Sequence, residues 1–250
     1  NKNITESHCG LVAIVGRPNV GKSTLLNHIL GQKISITSRK PQTTRHRLLG
    51  IKTTDNAQIV FVDTPGLHLG VDKALNRYMN KTVSSVIRDV DLILFMIDAN
   101  KWTPEDEKVL ENIRNSSAPA ILLINKIDKI NDKEDLLPFM EKLMAIHEFN
   151  EIIPISALKS KGIDQLESLV IKTLPTGTYL FPEDQLTDKN SRFLAAEFVR
   201  EKITRQTGDE LPYEVNVEIE EFKTIDGVLH ISALILVERE GQKKILIGKN

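Results

Sequence analysis

Cysteine is nearly absent from this sequence: Cys9 stands alone among 250 residues. No disulfide can close within the chain, and a reducing compartment is its simplest home. Long apolar runs are missing too. The longest, Leu92–Ile97, falls far short of the roughly 20 residues a membrane-crossing helix needs. Asn1–Ser7 is polar and lacks the apolar centre of a signal peptide. The six histidines are dispersed without ligand spacing, so a zinc site is not expected. There is no excess of charge of either sign: the net charge is −1, which argues neither for nor against a nucleic-acid partner. Residues 1–180 carry 23 basic and 20 acidic groups and residues 181–250 carry 10 and 14, so the C-terminal part is mildly acidic. No internal repeat or low-complexity tract is visible. What is present, 40% apolar and 27% charged residues, suits a globular protein with a packed core. The expected location is the cytoplasm. No basic amphipathic helix offers itself for insertion into a bilayer, whereas a peripheral association with the inner membrane is compatible with the sequence.

Short β-rich apolar runs occur at Leu11–Val15, Ile59–Val62, Leu92–Ile97, Ala120–Ile124 and Ile152–Ile155. Segments with helical spacing lie between several of them. Thr103, Pro104, Glu105 and Asp106 read as a helix start: a cap, a first-turn proline, and carboxylates at the positive end. Strands apolar on both faces and alternating with helices predict an α/β domain, a mostly parallel sheet with helices on both faces, over residues 8–176. Residues 177–190, with Gly177 and Pro182 among polar residues, read as a linker. A smaller α+β unit follows over 191–250. It opens with a helix over Arg192–Thr204 and continues with alternating strands around Val215–Ile219 and Leu229–Val237, joined by a hairpin turn near Asp226-Gly227.

Gly16-Arg17-Pro18-Asn19-Val20-Gly21-Lys22-Ser23 fills the G-x-x-x-x-G-K-[ST] pattern, after a strand and before the helix-like Thr24–Leu30. Such a loop wraps backbone N–H groups around a β-phosphate, and side chains at the glycine positions would block the approach. Lys22 is then placed for the β- and γ-phosphates and Ser23 for Mg²⁺, at the positive end of a helix. The motif alone leaves ATP and GTP open.

Three further motifs narrow the choice. Asp63-Thr64-Pro65-Gly66 follows a strand, placing Asp63 for Mg²⁺ and the Gly66 N–H for the γ-phosphate. Asn125-Lys126-Ile127-Asp128 follows the next but one. Guanine presents a ring N1–H and an amine side by side, and the Asp128 carboxylate can accept both. Adenine would leave that carboxylate facing an acceptor, a mismatch on the order of 10³-fold in affinity. Asn125 would tie the loops together and Lys126 would lie along the base. Ser156-Ala157-Leu158 follows the last strand and can offer the Ala157 N–H to guanine O6. Four elements in this order, each ending a strand, predict a GTP/GDP site.

With these residues the chain resembles the translation-factor-like branch of small GTPases, and within it the Era family of bacterial GTPases. The likeness rests on Gly16–Leu25, Gln32–His46, Asp63–His68 and Leu236–Lys244. It covers nearly the whole chain. It implies a GTPase domain followed by a KH domain, a Mg²⁺-dependent hydrolysis, and a role in binding 16S ribosomal RNA near its 3′ end and assisting 30S subunit assembly. By position it makes Thr44 the switch I ligand of Mg²⁺, with Thr43 as the alternative, and residues 39–47 the switch I loop. It makes Lys22, Thr44 and Gly66 the groups that act on the phosphates. Leu67 stands where many GTPases carry a water-orienting Gln, so slow intrinsic hydrolysis is expected and no residue is assigned to the attacking water. Asn19 lies where related GTPases bind K⁺, a role that competes with an Asn bonding its own loop.

A KH domain grips single-stranded RNA with a G-x-x-G loop. Lys243, Lys244, Gly248, Lys249 and Asn250 form the approach to such a loop, and the chain ends one residue before its second glycine would fall. Weak RNA binding by these 250 residues, with GTP binding retained, is therefore expected. The competing reading is a GTP-dependent cell-cycle or membrane-associated switch whose C-terminal domain binds protein or lipid.

Overall fold

A computed structural model describes residues 7–37, 47–66, 74–99, 101–130, 134, 136–207 and 215–248. Six strands form one sheet: β1 (His8–Val15), β2 (Leu48–Thr53), β3 (Ala57–Asp63), β4 (Leu92–Asp98), β5 (Ala120–Asn125) and β6 (Glu151–Pro154). Their order is β2-β3-β1-β4-β5-β6. Only β2 runs antiparallel, against β3; the other neighbours are parallel.

The five apolar runs are strands because they are buried on both faces. Along β1, Val12 and Ile14 join one core with α1 (Lys22–Leu30) and α5 (Ile163–Thr173). Ala13 and Val15 join the opposite core, lined by α2 (Ala74–Arg88), α3 (Pro104–Arg114) and α4 (Leu136–Ile146). Period-2 alternation thus feeds two cores rather than one core and solvent. The α3 start is as expected: Thr103 Oγ1 accepts from the Asp106 N–H at 3.4 Å and the Asp106 carboxylate from the Thr103 N–H at 2.9 Å, a reciprocal capping box.

The polar stretch after α5 is docked along the sheet. The Ile51 N–H donates to Leu186 O (2.9 Å) and the Leu49 N–H to Asp188 Oδ1 (2.9 Å), so residues 186–188 line the outer edge of β2. Gln58, fully buried on β3, donates to Phe181 O and accepts from the Leu180 and Phe181 N–H groups. Occupying a sheet edge in this way removes its unpaired backbone groups.

The second unit consists of α6 (Ser191–Gln206), the hairpin β7 (Val215–Ile225) and β8 (Val228–Val237), and α7 (Glu240–Ile247). Asp226 and Gly227 turn the hairpin with φ of 51° and 77°, the primed geometry that matches strand twist. Helix α6 faces two ways. Phe193 and Leu194 pack on the core of the large sheet, while Ala196, Val199 and Ile203 pack on Val215 and Val217 of the hairpin. Among the described residues no helix is long and apolar enough to cross a membrane.

Candidate nucleotide site

The parallel strands deliver their following loops to one edge of the sheet, and the order reverses around β1, which has β3 on one side and β4 on the other. A crevice at such a reversal is where open α/β sheets bind ligands. Gly16–Ser23 follows β1, Asp63–Gly66 ends β3, Asn125–Asp128 ends β5, and Ser156–Leu158 follows β6. Val20 is fully buried under the phosphate loop, Thr24 lies in the first turn of α1, and Leu158 stands exposed at the rim.

The loop after β1 can close only with glycine at its turn. Gly21 has φ 112°, and a β-carbon there would lie 2.3 Å from the Asn125 Nδ2. Asn19 is held at φ 62°. Lys22 is 7% exposed and its ammonium donates to Gly16 O and Arg17 O, both at 3.0 Å. Burial pulls its pKa down to about 8, with Asp63 and Asp106 opposing that fall and Arg17 adding to it. A buried ammonium resting on loop carbonyls, with no carboxylate in salt-bridge contact among the described residues, is the condition a phosphate would relieve.

Asp63 is completely buried. Its Oδ2 accepts from the hydroxyls of Ser23 (3.0 Å) and Ser35 (2.7 Å), and Oδ1 has no hydrogen-bond partner among the described residues. Burial raises its pKa, against the pull of the Ser35 hydroxyl and the Lys22 charge. An orphaned carboxylate oxygen beside a hydroxyl is a donor set for a hard cation such as Mg²⁺, which takes one or two carboxylates and completes its shell with phosphate and water. Gly66 backs onto the loop so closely that a β-carbon would stand 2.7 Å from Pro18 N.

Asn125 joins the parts. Its amide donates to Val20 O at 2.7 Å, and its carbonyl oxygen accepts from the Ala157 N–H at 2.9 Å. The N–H assigned from sequence to guanine O6 is thus engaged by Asn125 in this arrangement. Asp128 is exposed, and its Oδ1 accepts from the Ser156 hydroxyl, which orients the carboxylate.

Three residues at this edge carry chemistry that the motifs do not name. Asp98 ends β4, in register with Asn125; it accepts from Lys126 Nζ at 2.7 Å and lies 3.9 Å from the Arg17 guanidinium. Arg17 also donates to Asp106 at 3.2 Å. Burial raises the Asp106 pKa, and the Thr103 hydroxyl and Arg17 hold it down. Lys126, expected along the base, is therefore anchored from below. A strand-ending Asp at the edge that holds Asp63 was the available signal for Asp98. Thr44 and Leu67 lie outside the described residues, as do Lys249 and Asn250. Lys243 and Lys244 are exposed on α7, with Gly248 at its C-cap with φ 83°.

The family described as 50S ribosome-binding GTPase matches residues 11–126, and the KH domain family matches residues 210–250. GTPase Era of Pseudomonas aeruginosa (strain LESB58) is 61% identical over 242 residues, which span 97% of this chain and 79% of that protein. The chain belongs to the Era family of GTPases. Two solved Era structures have the same fold. The Aquifex aeolicus Era carrying a tyrosine-to-alanine substitution, bound to GDP and aluminium tetrafluoride, superposes with a TM-score of 0.92 at 46% identity. An Era in complex with MgGDPNP and nucleotides 1506–1542 of 16S ribosomal RNA gives 0.93 at 47%. Each alignment covers 97% of this chain and 83% of the other. Era family membership agrees with the P-loop GTPase domain and mostly parallel sheet that the residues predicted, and with the KH domain that the resemblance implied for the smaller α+β unit.

Proposed function

We propose that this chain is a Mg²⁺-dependent GTP switch whose second domain binds 16S ribosomal RNA near its 3′ end and assists small-subunit assembly in the cytoplasm. The observation that carries the guanine site is the Asn125 bridge between Val20 O and the Ala157 N–H, because it fixes the phosphate loop and the base-reading loops as one unit. On this reading Gly16, Asn19, Val20, Gly21 and Thr24 line the phosphates and Lys22 supplies their counter-charge. Gly66 meets the γ-phosphate from the other side. Ser23 and Asp63, with Thr44, hold Mg²⁺, which when bound neutralises charge developing on the phosphates. Asp128, Lys126, Ser156, Ala157 and Leu158 surround the base. Asn19 extends the reading to K⁺, a fixed positive charge beside the leaving phosphates, which a comparison of hydrolysis in potassium and sodium salts decides.

The RNA reading draws on the Era neighbour in complex with 16S ribosomal RNA and on the exposed Lys243, Lys244 and Gly248 at the end of α7, continued by Lys249 and Asn250. The domain limits follow the same proposal: residues 8–176, a docked connector over 177–190, and the RNA-binding unit from 191.

The test is Asp128→Asn. An amide presents a donor where the carboxylate presented an acceptor, so GTP affinity should fall on the order of 10²- to 10³-fold and xanthosine triphosphate should become the preferred ligand. Unchanged preference for GTP over xanthosine triphosphate would remove Asp128 from the base site.

A further inference from the structure

The first helix of the second domain reaches the metal site through a chain of contacts only three residues deep. Glu201, on α6, has no exposed surface. One of its carboxylate oxygens accepts from the Thr37 N–H at 3.0 Å and from the Thr37 hydroxyl at 3.2 Å. The other takes the ammonium of Lys33. Arg205, one turn further along α6, pairs with Glu201 at 2.8 Å and donates to Thr37 O at 2.9 Å. Lys33 and Thr37 bracket Ser35 in the sequence. Ser35 is 4% exposed, its backbone is held at both N–H and C=O by the side chain of Asn27, and its hydroxyl donates to Asp63 Oδ2.

The consequence is geometric. Asp63 shares Oδ2 between Ser23 and Ser35, which leaves Oδ1 without a hydrogen-bond partner among the described residues. A carboxylate with two hydroxyls on one oxygen cannot rotate without breaking both. Ser35 in turn can hold that position only while the segment 33–37 stays in place. Asn27 fixes it from α1, inside the GTPase domain, and Glu201 fixes its two flanks from outside that domain. Buried charge-assisted hydrogen bonds of this kind are stronger than neutral ones and are strict about direction.

We infer that Ser35 and Glu201 are positioning residues for the Mg²⁺ site: Ser35 sets the Asp63 carboxylate, and Glu201 sets Ser35 by clamping Lys33 and Thr37. The second domain thereby contributes a residue to the readiness of the nucleotide site. This rests on the assignment of Ser23 and Asp63 to Mg²⁺.

The measurement is the Mg²⁺ concentration that gives half-maximal retention of a fluorescent GDP by the whole chain, with the affinity in excess EDTA as the control. Ser35→Ala and Glu201→Gln should each raise that concentration about three- to tenfold and leave the EDTA affinity within about twofold. The double variant should be no worse than the more severe single one, because both act on the same carboxylate. An unchanged Mg²⁺ requirement in Glu201→Gln, an equal loss with EDTA, or effects that multiply in the double variant would each overturn the inference. If Glu201→Gln does not melt as a folded protein, Arg205→Ala at the exposed end of the clamp takes its place. It should raise the requirement about twofold or more, and no rise would overturn the clamp. Wild-type retention that does not depend on Mg²⁺ at all would overturn the Ser23–Asp63 assignment itself, a result distinct from Mg²⁺-dependent retention that the variants leave untouched.

Discussion

Replacing Asn125 with Ala removes one side chain and disconnects two loops. The residue is 3% exposed, its amide donates at 2.7 Å to Val20 O in the phosphate loop, and its oxygen accepts at 2.9 Å from the Ala157 N–H. Two net hydrogen bonds are worth about 0.5–1.5 kcal/mol each, and a buried backbone group left without a partner costs about 1–3 kcal/mol. Val20 is fully buried and Ala157 is 3% exposed, so water cannot readily replace the lost partner at either. These contributions overlap, and a loss of about 2–5 kcal/mol in the nucleotide-free protein is expected. Urea denaturation at pH 7.5 measures it as a lower midpoint with an unchanged slope. Affinity for GTP and for GDP should fall together, since the bridge joins base loop to phosphate loop and does not sense the γ-phosphate. Asn125→Asp sharpens the test. It keeps the acceptor for Ala157 but sets a carboxylate oxygen against Val20 O, so it should cost at least as much as Ala. A loss below about 1 kcal/mol for Asn125→Ala, with GDP affinity intact, would refute the claim that this amide unites the site.

Two pH dependences follow from buried charges. The Lys22 pKa is about 8 in the fold against 10.5 ordinarily. Between those values the unfolded chain binds more protons, so the nucleotide-free protein should gain stability as pH rises through that window, by on the order of 1–3 kcal/mol. Taking wild type minus Lys22→Met in urea isolates the effect, and a flat difference would contradict it. For Glu201, burial pushes the carboxyl up, but the hydrogen bonds from Lys33 and Thr37 and the charges of Lys33 and Arg205 outweigh it and hold the pKa below the usual 4.5. Its contribution is therefore present above 4.5 and is lost as pH falls through the lower folded value. The stability advantage of wild type over Glu201→Gln should be full at pH 7 and shrink in acid, and an advantage that grew in acid would show the sign to be wrong.

The large sheet was legible because four of its five parallel strands, β1, β3, β4 and β5, hold an unbroken apolar run such as Leu92–Ile97 or Ala120–Ile124. β2 was not, because Leu48–Thr53 is short, is interrupted by Gly50, and becomes a strand through its pairing with β3 and the docked residues 186–188. That docked stretch reads as a linker by composition, since Pro and Gly report local geometry and not what the backbone bonds to at a distance. The phosphate loop, Asp63 and the Asn125–Asp128 loop could be read because close backbone approach and recognition of a planar edge demand fixed residue types at fixed spacing. Asp98 carried only its place at a strand end as a signal, and the roles of Ser35, Arg17 and Glu201 could not be read at all. Their roles depend on partners 28, 28, 89 and 164 positions away along the chain, and a Ser or Glu at such sites carries no local mark.

Helix α6 shows how the same point bears on function. Its apolar residues do not form one stripe, because Phe193 and Leu194 serve the large core while Ala196, Val199 and Ile203 serve the hairpin. On the side it turns to the large domain it also carries a buried carboxylate with two cations and the Thr37 backbone. A joint made wholly of apolar packing would fix the two units, since separating them would expose surface at about 25 cal/mol per Å² with nothing in return. Ionic and hydrogen-bonding groups can instead be resolvated one at a time, and the net worth of such a pair is small compared with its directional strictness. The polar contacts of the joint are thus stringent about geometry while held together, and separable one at a time. Those are the properties required if a change at one ligand site is to be felt at the other as a shift between two arrangements of the segment 33–37, which among the described residues touches both Glu201 and Asp63.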